Sequence, residues 1–113
     1  MVYERSRPDA LDALLQEVRR GGIVLAVLGA LEGEEYGWSL RKELGERGLE
    51  IEEGTLYPLL RRLEDQRLLS SRWRVEDGRR RRYYRITEGG KRVRKRLASE
   101  WRGMNEVMEG LSR

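Results

Sequence analysis

The sequence predicts a mostly α-helical fold that carries one small β-hairpin. Three observations predict it. Successive stretches place Leu and Val at helical spacing, the apolar period drops to two on either side of Asp77-Gly78, and a long apolar seam runs from Val93 to Leu111. With 113 residues the chain supports one modest core, and with 38% hydrophobic against 39% charged residues that core leans on a partner subunit for completion.

Residues 1 to 8 read as a short arm ending at Pro8, with Arg5 and Arg7 available to a phosphate. Asp9 then caps a helix over residues 9 to 20, whose Leu11, Leu14, Leu15 and Val18 share one side, and Gly21-Gly22 breaks it. A second helix with Val24, Val27, Leu28 and Leu31 is apolar on most faces and belongs at the centre of the core. Gly33 and two glutamates form a turn. Tyr36-Gly37-Trp38 opens a third helix that faces Leu40 and Leu44 inward, reaches about Arg47 and stops at Gly48. Leu49 and Ile51 alternate with glutamates, which fits a very short strand.

The stretch from Glu53 to Leu69 organises the chain. Leu56, Leu59, Leu60 and Leu63 fall at i, i+3, i+4 and i+7, a single buried stripe. The opposite side carries Gly54, Pro58, Arg61 and Asp65, flanked by Thr55, Tyr57 and Arg62. A proline near a helix start loses no internal hydrogen bond, and the positive end of the helix dipole favours phosphate, so this reads as a recognition helix for a DNA major groove. A surface helix with solvated arginines has the same pattern when taken alone.

In the hairpin, Ser71, Trp73 and Val75 make one mostly apolar face with Arg72 and Arg74 on the other. The returning strand turns Tyr84 and Ile86 inward and Arg81, Tyr83 and Arg85 outward, and the tip carries Arg79, Arg80, Arg81 and Arg82. Thr87 caps the last helix, though Gly89-Gly90 weakens its first turn. Val93, Leu97, Trp101, Met104, Met108 and Leu111 follow at steps of 4, 4, 3, 4 and 3. This stripe and that of the first helix are predicted to meet their copies in a homodimer. Helices followed by a hairpin with a basic tip give the order of a winged helix-turn-helix, with a DNA-binding domain over residues 1–87 and a dimerisation helix over 88–113.

Charge points to the partner. Residues 61 to 96 hold fifteen Lys or Arg against five Asp or Glu, a local +10, so the remainder of the chain sums to −6. Such segregation marks a polyanion-binding face, with double-stranded DNA as the expected partner. With no Cys and no His, disulfides, thiolate or imidazole metal sites and the usual nucleophile–base pairs are excluded. The carboxylates form no catalytic constellation, so no enzyme activity, metal or cofactor is expected. There is no apolar run of about 20 residues and no signal segment, which predicts a cytoplasmic protein without membrane contact.

The chain resembles the PadR family of transcriptional regulators. The resemblance rests on YGWSLRKEL at 36 to 44, GTLYPLLRRLEDQRLL at 54 to 69, RRYYRITEGGK at 81 to 91 and the tryptophan of SEWRGM at 99 to 104. It implies a winged-helix dimer that represses by occupying an operator, in the short branch with one C-terminal helix. By motif position Thr55, Tyr57, Pro58 and Arg61 would lie in or near the groove, Arg79 to Arg82 would form the wing contact, and Tyr36 would face the DNA backbone. Trp101 looks like an interface tryptophan that in some members flanks a cavity for flat aromatic effectors. By spacing alone Trp101, Met104 and Met108 are more often dimer core than ligand box, although an aromatic ring with adaptable thioethers can also line a pocket for a small aromatic or hydrophobic effector. A winged helix that binds DNA or a protein without sequence readout is the alternative. Two residues depart from the family pattern: Arg67 stands where Gly is usual, and Trp38 replaces Tyr.

Overall fold

The computed structural model describes residues 6–112, with side chains from residue 9 onward. In chain order the elements are α1 (Ser6–Ala30), β1 (Glu35–Tyr36), α2 (Gly37–Glu46), α3 (Glu53–Asp65), β2 (Leu69–Glu76), β3 (Arg79–Ile86) and α4 (Glu88–Leu111).

The first two predicted helices are one. α1 runs unbroken through Gly21-Gly22. A helical glycine costs only about 1 kcal/mol relative to alanine, too little to break a helix whose following turns are packed in the core. Gly22 also makes room for a neighbour, since a Cβ there would lie 3.4 Å from Cη2 of Trp101 in α4. Of the arm expected over residues 1 to 8, the described part is helical instead. Ser6 to Pro8 form the first turn of α1, where the missing proline N–H has no helical partner to lose. Arg5 and the Arg7 side chain lie outside the described residues.

The core joins the second half of α1 to α2, α3 and the sheet. Val27, Leu28 and Leu31 of α1, Leu40 and Leu44 of α2, and Leu56, Leu59, Leu60 and Leu63 of α3 are all buried, together with Leu69, Tyr84 and Ile86 of the sheet. Each such aliphatic side chain contributes roughly 1.5–3 kcal/mol by leaving water.

The sheet has the order β1-β3-β2, antiparallel throughout. The predicted strand at Leu49 and Ile51 does not form. Residues 47–52 only connect α2 to α3, with Ile51 buried as a core plug, and the free edge of β3 is instead taken by Glu35 and Tyr36. The hairpin itself is as expected: Glu76 pairs with Arg79 around a two-residue turn in which both Asp77 and Gly78 have positive φ, 51° and 75°.

Tyr83 was expected to face outward, and it is buried. Arg74 lies 4.3 Å over its ring and Tyr36 of β1 packs beside it, so two long-range neighbours cover an outer-face position. Trp73 and Val75, on the mostly apolar face, remain 53% and 71% exposed because the hairpin extends past the core. The glycine pair opening α4 is a close approach: a Cβ on Gly90 would overlap the Leu68 carbonyl, while Thr87 Oγ1 accepts the Gly90 N–H at 2.9 Å.

Candidate nucleic-acid interface

Two matching turns place α3. α2 ends with Gly48 at φ +100°, where the Leu49 N–H donates to the Leu44 carbonyl (2.8 Å) and the Gly48 N–H to that of Gly45 (3.0 Å). α3 ends in the same way with Arg67 at φ +63°. The Leu68 N–H donates to Leu63 (2.9 Å) and the Arg67 N–H to Glu64 (2.8 Å). Arg67 therefore adopts the left-handed cap itself. Its carbonyl accepts the Thr87 hydroxyl at 2.8 Å, which links this turn to the start of α4.

α2 is fixed against α3 from two sides. Arg41 donates through Nε to the Ile51 carbonyl (2.9 Å) and pairs with Glu53 (3.2 Å), so it spans the connection from α2 to the first turn of α3. At the start of α2, Ser39 Oγ accepts the Tyr36 N–H (3.2 Å) and donates to Glu35 (2.6 Å). A Cβ on Gly37 would overlap the ring of Tyr57, so the α2 backbone rests on that ring. Tyr57 is thus half-buried between the two helices, while Thr55, Pro58, Arg61 and Arg62 stay exposed on α3. Pro58 sits in the second turn, deeper than its expected place at the helix start.

The four arginines of the wing divide into two pairs. Arg82 donates to Ser71 Oγ (2.9 Å) and to Glu64 of α3 (3.0 Å), and Ser71 Oγ donates to the same carboxylate (2.6 Å). Arg81 pairs with Glu76 (3.4 Å) and lies 4.7 Å over the Tyr36 ring. Both are engaged within the fold. Arg79 and Arg80, like Arg61 and Arg62, form no ion pair among the described residues and are exposed. Arg80 stacks 4.5 Å over Trp73.

On the outer face of the sheet Glu34 gathers Arg72 (2.7 Å) and Arg74 (3.3 Å). The hydrogen bond from Arg72 holds the Glu34 carboxyl below its ordinary range. The Tyr83 hydroxyl does the same for Glu76, assisted by Arg74. Tyr36 stacks on Trp38, whose other neighbour is the Lys42 ammonium at 5.4 Å.

The apolar stripes of α1 and α4 remain exposed. Leu11, Leu14, Leu15 and Val18 stand open on α1, and Leu97, Met104, Met108 and Leu111 on α4, reaching 80% at Leu111. Val93 is half-buried and Trp101 packs over Gly22 of α1. Val107, which the predicted seam skipped, is 62% exposed beside Met104 and Leu111 at steps of 3 and 4. A groove of about 540 Å³ lies between α1 and α3, lined by Arg19, Arg20, Ile23, Pro58 and Arg62 among others, and Trp101, Met104 and Met108 are not part of it.

The charge pattern alone suggested Arg79 to Arg82 as equivalents; only the contacts with Glu64, Ser71 and Glu76 separate them. The carboxylate–serine–arginine link between α3 and the wing had no local signal in the sequence. Its members are 7 to 18 positions apart and meet only once the hairpin register is set.

The chain is similar to known proteins in sequence and fold. A transcriptional regulator of Mycobacterium tuberculosis is 40% identical over 94 residues, covering 82% of this chain and 85% of that one. The crystal structure of a PadR family transcriptional regulator from Eggerthella lenta superposes with a TM-score of 0.84 at 38% identity, over 95% of this chain and 96% of that one. A transcriptional regulator from Clostridium thermocellum gives 0.78 at 31% identity, over 86% and 99% of the two chains. Residues 24–96, the span from the end of α1 into α4, match the transcriptional regulator PadR-like family, and the chain belongs to that family.

Proposed function

We propose that the protein acts in the cytoplasm as a homodimeric, sequence-specific DNA-binding repressor, released from its operator by a small aromatic or hydrophobic effector. The observation that carries the DNA reading is the set of guanidinium groups on α3 and the wing that form no ion pair among the described residues. Arg61 and Arg62 stand beside Thr55 and Pro58 on the leucine-free side of the helix, and Arg79 and Arg80 project from the hairpin tip. α3 enters the major groove, where Arg61 and Arg62 position the helix or read base edges; Arg79 and Arg80 of the wing bind phosphate. Tyr36, at the start of α2, lies toward the backbone. Tyr57 acts from beneath, holding α2 at its angle to α3.

The exposed stripes of α1 and α4 support the dimer. Two copies related by a two-fold axis present two α3 helices to half-sites about one DNA turn apart. Trp101, Met104 and Met108 then lie near the subunit interface, where an aromatic ring and two adaptable thioethers suit a flat ligand.

Affinity selection of random duplex DNA by the purified protein at near-physiological salt tests this reading. A palindromic motif is the expected outcome, with affinity falling by roughly 10³–10⁵ between 50 and 200 mM salt if six to ten phosphates are neutralised. Retention without a motif would replace it with an architectural role. Titration with flat aromatic compounds, followed by Trp fluorescence and by release of the selected DNA, tests the effector.

A further inference from the structure

We infer that Trp73 is a DNA-contacting residue, its exposed indole packing on the sugar–phosphate backbone beside α3. This inference rests on the DNA-binding reading above and adds to it a contact that is neither on the recognition helix nor cationic.

Position comes first. Trp73 pairs across the hairpin with Arg82, and Arg82 reaches Glu64 of α3, so both side chains lie on the sheet face turned toward that helix. On α3, Tyr57, Arg61 and Glu64 follow at steps of 4 and 3 and share the side that flanks the hairpin. Trp73 therefore lines the same cleft as Arg61. Nearer the core this sheet face is covered, with Tyr84 buried and Ser71 half-buried. At Trp73 the cover ends, and the ring is 53% exposed.

The surroundings define what fits there. Arg80 lies 4.5 Å from the ring centroid and Arg82 5.7 Å, so the indole is held by two guanidinium groups. Arg82 is fixed by Glu64 and Ser71, whereas Arg80 has no carboxylate among the described residues. The indole Nε1–H likewise has no hydrogen-bond partner among them. An apolar plane with one free donor, beside Arg80, which forms no ion pair among the described residues, matches deoxyribose between phosphates in both polarity and charge. Trp73 also braces Arg80, which reduces the side-chain freedom that guanidinium loses on meeting a phosphate.

The test uses the full-length protein and a pool of random-sequence duplexes at low salt, where wild-type binding must first be seen. Absence of binding by the wild type would remove the DNA-binding reading itself. Given binding, Trp73→Ala should lower affinity about tenfold without changing the dependence of affinity on salt, since no charge is removed, and Trp73→Phe should recover part of the loss. In a protein keeping Trp73 as its single tryptophan (Trp38→Phe, Trp101→Phe), duplex DNA should shield the indole from acrylamide quenching. Unchanged affinity in Trp73→Ala, or an indole equally quenched with and without bound DNA, would overturn the inference. The quenching result decides if the alanine variant folds poorly.

Discussion

Arg67 combines an L side chain with a backbone conformation that favours glycine. Left-handed geometry costs an L residue roughly 1–2 kcal/mol, and glycine returns part of that as unfolded-chain entropy, about 0.4–1 kcal/mol. Arg67→Gly should therefore stabilise the protein by about 0.5–1 kcal/mol, read as a higher urea midpoint at constant slope. Arg67→Ala, which keeps the strain, should gain nothing. The wing arginines give a second contrast. Arg80→Ala should leave thermal stability unchanged and reduce the slope of log affinity against log salt by about 0.9, one phosphate contact. Arg82→Ala should do the reverse, lowering stability by about 1 kcal/mol, because it removes a partly exposed pair and leaves Glu64 with Ser71 alone. Equal salt slopes for the two variants would show that the ion pairs do not separate their roles.

The hairpin shows how far sequence reasoning reaches. Its register and turn were legible because alternation and Asp77-Gly78 are local signals, and α3 was legible because four leucines at helical spacing permit one buried face. β1 was not, since two residues carry no period, and the burial of Tyr83 depends on β1 and on Arg74 across the hairpin. α1 was misread because the reason for Gly22 lies in Trp101, 79 positions away. The same long-range contacts make the wing sensitive to acid. Glu34 and Glu76 titrate below the ordinary value of 4.5 in the folded protein, through the Arg72 and Tyr83 hydrogen bonds respectively. A depressed folded pKa contributes stability that is present above the unfolded value and is lost as pH falls through the folded one. Amide exchange in β2 and β3, corrected for intrinsic rate, should therefore accelerate below about pH 4.5 before the core of α3 opens. Glu34→Gln should show part of that acceleration already at neutral pH; a wing equally protected in this variant would mean that Glu34 does not hold it.

At the scale of the whole molecule the chain is too extended for its length. A compact domain of this size has a radius of gyration near 13 Å, and here it is 16.9 Å, with a longest dimension of 54 Å. The excess comes with the first half of α1 and the end of α4, where apolar side chains stand open on both helices, Val18 by 68%. No segment among the described residues covers them. Patches of this kind signal association, and in the proposed homodimer a second copy would supply matching stripes under two-fold symmetry. Met108→Glu should therefore yield a monomer in sedimentation equilibrium while retaining helix content. Val107→Glu should do the same, because Val107 shares the exposed stripe although the simple seam passes it by. Either variant should lose roughly 10²–10⁴ in affinity for a palindromic operator, the gain that linking two modules provides, while a lone half-site is bound as the wild-type chain binds it. A wild type that sediments as a monomer, or glutamate variants that remain dimeric, would require another cover for α1 and α4. In that case the two recognition helices would no longer be held at a fixed spacing, and half-site spacing would cease to restrict which operators the protein selects.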